Sequence, residues 1–293
     1  MPTQDTPLTY DALLEHLISK NLVVFDDNRA KKYLRTIGYT RFKTYFKMFC
    51  NSQGQFENSF SFDDLLNIYV FDRQLRTLFI EALERIEIAI RNCIVDTVSV
   101  NTYDAYFIYD SNNFNSGYED IFKKVKDNVW YQTDKKININ DNQVCCWDII
   151  KYLTFGCLSA FYDELKGNLR QDIADTFNLK NKVMSSWLLS LSASRNICAH
   201  YSLLWSRIFS IKPMNLKRDG ELIIDFGASS DKLYAQFYII AYFMLQISPT
   251  TSWIERVYNL IDEYCQKTHF INYDIMGFPE NARDYQSFLN INM

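Results

Sequence analysis

Residues 61–98 read SFDDLLNIYVFDRQLRTLFIEALERIEIAIRNCIVDTV, and this stretch decides the fold class. Ser61 with Asp64 three positions on has the form of a capping box. The serine oxygen can accept the N3 amide proton and the carboxylate can reach back to the N-cap amide. Behind it, Leu65, Ile68, Tyr69, Leu75, Leu78, Phe79, Ala82, Leu83, Ile86, Ala89, Ile90 and Cys93 recur at helical spacing, so one apolar stripe continues through many turns. Glu81/Arg85 and Glu87/Arg91 stand four apart and support the same helix as ion pairs on its surface. The pattern predicts one long helix from Ser61 to about Val98.

The rest of the chain follows suit. Only 8 Gly and 5 Pro occur in 293 residues, which favours long helices over many short strands. Upstream, residues 8–21 form a short amphipathic pattern, and residues 28–50 read as two short helices hinged at Ile37-Gly38. Downstream, residues 101–142 lose periodicity and become rich in Asn, Asp, Lys and Tyr. They read as an insertion or mobile loop, with a short helix near Glu119–Trp130. Helical pattern returns over Asp148 to about Leu165, near Gln171–Phe177, and from about Lys182 to Ser206. Asp219-Gly220 between Met214–Lys217 and Leu222–Phe226 suggests one small β-hairpin. Helices at about Asp231–Ile247 and Ser252–Lys267 follow, and then an irregular tail. The expectation is an all-α protein with an N-terminal basic and aromatic segment (1–58), a helical domain (59–270) with the insertion at 101–142, and a C-terminal tail (271–293).

With 48% apolar residues the chain can build a core and is not of a disordered class. Its seven cysteines are odd in number and contain no CxxC pair, so neither a disulfide framework nor a zinc knuckle is expected. The start of the sequence shows no basic-then-apolar signal pattern. The most apolar run, Leu233–Ile247, contains Gln236 and Gln246 and is too short to span a bilayer. A soluble, cytoplasmic protein with no membrane partner is expected.

The chemistry-bearing element is Arg195-Asn196-Ile197-Cys198-Ala199-His200. On a continuing helix Asn196 and His200 share a face, Arg195 borders it, and Arg207 returns to it. Histidine can give or take a proton near neutral pH, as 2'-OH activation and departure of the 5'-oxygen both require. Arginine supplies fixed charge to a pentacoordinate phosphorane. Spacing alone fits either such a groove or an ordinary helix surface. Cys198 is expected in the core. The acids Asp72, Glu81, Glu84 and Glu87 are expected in helix-surface salt bridges and not as metal ligands.

The run from Arg195 to Tyr201, with Leu204-Trp205 and Arg207 after it, resembles the RN-x-x-AH signature of the Abi-like abortive-infection proteins (the AbiD/AbiF group) of the HEPN superfamily. Tyr33-Leu34-x-x-Ile37-Gly38-Tyr39-x-Arg41-Phe42 is similar to the family's N-terminal motif. Tyr69-x-Phe71-Asp72-x-x-Leu75-Arg76, continuing through Ala82–Glu87 to Arg91, is similar to its long first helix. Thr154-Phe155-Gly156-x-Leu158-Ser159 and Gly277-Phe278-Pro279 also fit. One departure is Ser206-Arg207 where the family commonly has Asn-Arg.

The resemblance implies a HEPN-type helical bundle and metal-independent, cofactor-free RNA cleavage in antiphage defence or as a toxin of a toxin–antitoxin system. It implies catalytic roles for Arg195, Asn196 and His200. It further implies a site completed by pairing two domains, which a single Arg-x4-His per chain turns into a homodimer. A small RNA is the regulatory partner that the family analogy suggests, and DNA is not expected. The rival reading is a non-catalytic module that holds RNA or a protein antitoxin.

A second signal lies in residues 28–50. Seven cations and no acid are interleaved with six aromatics, although the whole chain carries a net charge of -4. Cations hold phosphates and rings stack unpaired bases. Arg29, Lys31, Lys32, Arg35, Tyr39, Arg41, Lys43 and Lys47, with Arg207, are the expected RNA contacts. The alternative is a solvated basic face over an aromatic core stripe.

Overall fold

A computed structural model describes residues 7–57, 59–133, 139, 144–218 and 221–280. Among these the architecture is all-helical, with one two-stranded antiparallel sheet. The helices are α1 (Tyr10–Ile18), α2 (Asp27–Ile37), α3 (Tyr39–Phe46), α4 (Phe62–Thr102), α5 (Tyr118–Gln132), α6 (Cys146–Ile150), α7 (Phe155–Glu164), α8 (Gly167–Asp175), α9 (Asn181–Ala199), α10 (Leu233–Ile247) and α11 (Trp253–Lys267). The strands are β1 (Leu216–Arg218) and β2 (Glu221–Ile224). The Asp219-Gly220 turn expected between them lies outside the described residues.

Helix α4 is the spine. Its 41 residues begin with the expected capping box: the Asp64 amide donates to Ser61 Oγ at 3.1 Å, and the Ser61 amide donates to Asp64 Oδ2 at 3.0 Å. At 1.5 Å per residue it is about 60 Å long, long enough for α3, α8, α9, α10 and α11 all to pack along it. Its stripe buries Leu65, Ile68, Phe71, Leu75, Phe79, Ala82, Leu83, Ile86 and Ile90. Trp253 of α11 closes on this stripe and donates its indole N–H to the Leu78 carbonyl at 2.6 Å. Gly38, at φ +93, makes the sharp joint between α2 and α3 that the sequence signalled.

Helix α10 is buried almost all round, as an all-apolar helix must be in a globular core. Its Gln236 is fully buried because its amide oxygen accepts from the hydroxyls of Ser190 (3.0 Å) and Ser194 (2.8 Å) on α9. Among the described residues no helix is long and apolar enough to cross a membrane.

One element differs from expectation, and two others gain detail. The segment Asp148–Leu165 is two helices, α6 and α7, broken at Leu153-Thr154, where Thr154 caps α7 by accepting from the Cys157 amide at 3.3 Å. The helix expected near Glu119–Trp130 is present as α5, Tyr118–Gln132, whose Ile121, Val125 and Val129 are buried; residues 134–138 and 140–143 lie outside the described set. Beyond α11, Phe270, Ile271, Met276 and Phe278 are buried, so the chain stays packed on the core as far as Phe278.

Candidate functional site

Helix α9 has one open strip. Lys182, Leu189 and Asn196 are exposed along it, and His200 is exposed at its C-cap; Val183, Met184, Trp187, Leu188, Leu191 and Cys198 are buried. The helix ends at Ala199, seven residues short of the Ser206 expected from periodicity. His200 has φ -92 and ψ 14, and Tyr201 turns to φ +56. The Tyr201 amide donates to the Cys198 carbonyl at 3.1 Å and the Ser202 amide to the Ile197 carbonyl at 3.0 Å. This is a Schellman closure with tyrosine where glycine usually stands. Arg207 therefore does not return to the His200 face through helix register. It lies in the following loop, partly buried, with its guanidinium 3.5 Å from the Leu203 carbonyl.

The turn after His200 is captured by α4. Asp72 Oδ1 accepts the amides of Leu204 and Trp205, both at 2.9 Å. Its other oxygen accepts from the Tyr45 hydroxyl at 2.8 Å and from the Arg76 guanidinium. Arg76 also donates to the Ser202 carbonyl at 3.2 Å, and Arg41 of α3 donates to the Tyr45 oxygen at 2.9 Å. Asp72 is completely buried and Arg76 nearly so. Burial pushes the Asp72 carboxyl up from its ordinary value, against the pull of Arg76 and the amide and hydroxyl donors. Burial likewise pushes the Tyr45 hydroxyl up.

Asp72 is thus not in a helix-surface salt bridge, as the sequence suggested, but is buried with Arg76. Together they clamp the segment that carries His200. The signal was present: an Asp and an Arg one turn apart, with Phe71 and Leu75 flanking them in the apolar stripe.

Glu87 is the second buried acid. It pairs with Arg91, and its Oε2 stands 3.9 Å from Arg195 Nε. Arg91 donates onward to the Leu153 carbonyl at 2.5 Å. Burial raises the Glu87 carboxyl, with Arg91 and then Arg195 pulling it down. At 3.9 Å the contact with Arg195 is an ion pair without a hydrogen bond. The Arg195 side chain, 36% exposed, makes no hydrogen bond among the described residues, and Glu87 is its ion-pair partner. Among the described residues, no hydrogen bond holds the Asn196 or His200 side chain. Glu81 pairs with Arg256 of α11, at 2.7 Å through both oxygens, and not with Arg85 as its spacing suggested.

The basic segment divides in two. Phe42, Tyr45, Phe46 and Phe49 are buried, and Tyr33 and Tyr39 are partly so; Tyr39 packs on Phe46 at 5.9 Å. These rings build the core between α3 and α4. Arg29 is paired with Asp63 and Lys31 with Asp11. Lys32, Arg35, Lys43 and Lys47 are exposed, with no ion pair among the described residues. Among the described residues no group of three or more His, Cys, Asp or Glu side chains is arranged to hold a metal.

The fold and site define an all-helical protein whose Arg-x4-His element ends one helix and is clamped by an Asp–Arg pair from the spine. Residues 32–206, more than half of the chain, match the Abi-like protein family, and the chain belongs to that family. Its name places the chain among abortive-infection, or defence, proteins. No curated protein and no solved structure matches the chain.

Proposed function

We propose that this chain is a HEPN-type, metal-independent endoribonuclease of antiphage abortive infection, or the toxin of a toxin–antitoxin system. The observation that carries the proposal is the end of α9. There a partly exposed arginine, steadied by a buried carboxylate at 3.9 Å, is followed in the chain by an amide and an imidazole whose side chains no hydrogen bond holds among the described residues. Arg195 neutralises the developing phosphorane. His200 moves the proton at the 2'-OH or at the leaving 5'-oxygen, and Asn196 orients the phosphate between them. The nucleophile belongs to the RNA, so the reaction needs no cofactor.

Two copies of the chain supply the second Arg-x4-His. The open strip of α9 offers a face for that pairing, with exposed Leu189 beside Asn196 and His200. The exposed cations Lys32, Arg35, Lys43 and Lys47, with Arg41 and the open edge of Tyr39, guide the RNA in the cytoplasm. A small RNA is a fitting regulator.

The test is cleavage by the purified chain. Products should carry 2',3'-cyclic phosphate and 5'-OH ends, EDTA should have no effect, and a 2'-deoxy nucleotide at the cut should resist. His200→Ala and Arg195→Ala should each lose about 10²–10⁴-fold in rate with unchanged thermal melting. RNA bound tightly but left intact by the unaltered chain would favour the non-catalytic binding module instead.

A further inference from the structure

Arg91, the partner of Glu87, also lines a notch of about 210 Å³ between α4 and α6. Two large apolar side chains stand open in it: Trp147 of α6 is 50% exposed and Ile88 of α4 is 48% exposed. Asn92 and Asp96 follow Ile88 at one-turn intervals along α4, and Lys151, four residues after Trp147, is the C-cap of α6. The notch is below the roughly 300 Å³ at which pockets for drug-sized ligands begin, and it suits one planar ring system.

We propose that this notch is a subsite for a single unpaired RNA base, stacked on Trp147, and this rests on the ribonuclease reading above. Parts of the lining answer parts of a base. A half-open indole is a platform for any base, because every base has a π-face. Asn92 offers both a donor and an acceptor and ionised Asp96 only acceptors, a mixed set that matches a base edge. Lys151 and Arg91 also line the notch, each paired with an acid, Asp148 at 2.8 Å and Glu87.

The placement also fits. Glu87 meets Arg91 with one oxygen and approaches Arg195 with the other, so a single carboxylate lies between the notch and the proposed catalytic guanidinium. The subsite would then choose an unpaired nucleotide as the one next to the cut.

The experiment uses the full chain carrying His200→Ala, which binds without cutting. A labelled single-stranded RNA octamer and an octamer of the same backbone with abasic nucleotides are titrated by fluorescence anisotropy. The parent should prefer the octamer that carries bases. In Trp147→Ala this preference should fall by about tenfold, the size of one lost base stack. In Trp147→Phe, which keeps a flat ring, it should fall by less than about twofold. Affinity for the abasic octamer should be the same in all three, a constancy that misfolding would not produce. An unchanged preference in Trp147→Ala overturns the proposal. So does a Trp147→Ala chain that changes oligomeric state while its preference stays unchanged, because then a second copy occupies the notch. If the unaltered chain cuts no RNA while this pattern holds, the ribonuclease reading fails and the base subsite stands.

Discussion

Asp72 accepts the backbone amide of Trp205 at 2.9 Å, although 133 positions of sequence separate them. The same oxygen takes the Leu204 amide, so one buried carboxylate fixes the exit of the chain from His200. Asp72→Ala would leave the Arg76 guanidinium buried without its counter-charge and two amides without an acceptor. Breaking one side of a buried pair costs about 3–5 kcal/mol, a large part of the 5–15 kcal/mol that typically holds a domain together. Asp72→Asn keeps an acceptor oxygen for the amides and should cost less. Urea unfolding of both variants is the measurement; a loss under about 1 kcal/mol in Asp72→Ala would show that the clamp does not hold the turn.

The division of the basic segment makes a sharper binding prediction than its composition could. Lys32, Arg35, Lys43 and Lys47 carry no ion pair among the described residues, whereas Arg29 and Lys31 are neutralised by Asp63 and Asp11. Changing the four exposed cations to Gln should flatten the log–log salt dependence of single-stranded RNA binding by up to about 0.7 for each phosphate contact removed. Changing Arg29 and Lys31 should leave that slope nearly unchanged. Equal slopes for both sets would assign the whole segment to solvent.

The fold class was legible because α4 announces itself locally: a capping box, a long apolar stripe and no helix breaker. The end of α9 was not legible, for a physical reason. Ile197, Cys198, Leu204 and Trp205 continue the helical period, and no glycine marks the closure, because Tyr201 takes the left-handed position itself. The segment after the closure is held by Asp72, a residue of another helix, and that partnership is tertiary. The site was legible in part. Arg195, Asn196 and His200 do lie at the open end of one helix, but the roles of Glu87 and Asp72 depend on burial, which a surface pattern of i,i+4 charges does not disclose. Which rings of α3 face the core was illegible for the same reason: a ring beside a lysine in sequence can be buried.

Cys198 sits inside the Arg-x4-His element, yet burial pushes its thiol up to about 12. A thiol is the unreactive form. In the native chain iodoacetamide at pH 8 should leave Cys198 unmodified, and it should react once urea exposes it. Cys198→Ala should keep RNA binding, and any cleavage, within about twofold while costing about 1 kcal/mol of stability as a small cavity. Peptide mapping after labelling decides it: rapid native labelling of Cys198 would mean that the α9 end opens readily.

Glu81 and Arg256 give a pH prediction with a definite sign. The Arg256 hydrogen bonds hold the Glu81 carboxyl below its ordinary value. A carboxyl depressed in the folded state contributes stability above its unfolded pKa and loses it as pH falls through the folded one. The contribution is present at pH 7 and gone at strongly acidic pH. Both partners are more than two-fifths exposed, so solvent screening keeps the pair below about 1 kcal/mol. Glu81→Gln should therefore lower the urea midpoint slightly at pH 7 and not at pH 3. A difference that is larger at pH 3 would reverse the sign.

Tyr201 poses the last test, because it stands where the backbone favours glycine. Its φ of +56 closes the Schellman turn, and its ring is 72% exposed, so little packing offsets the strain of a side chain in the left-handed region. Tyr201→Gly should raise stability by about 0.5–1 kcal/mol, since glycine adopts this φ without a Cβ clash. Tyr201→Val should lower it by a similar amount or more, because a β-branched residue fits that region worst. Opposite signs of the two changes in urea midpoint, with the same denaturant slope, would establish the strain. If Tyr201→Gly destabilises instead, the ring makes contacts that its exposure conceals, and a second copy of the chain seated against His200 is the natural source of them. Repeating the unfolding at several protein concentrations separates the two cases, because only a loss at an interface between copies depends on concentration.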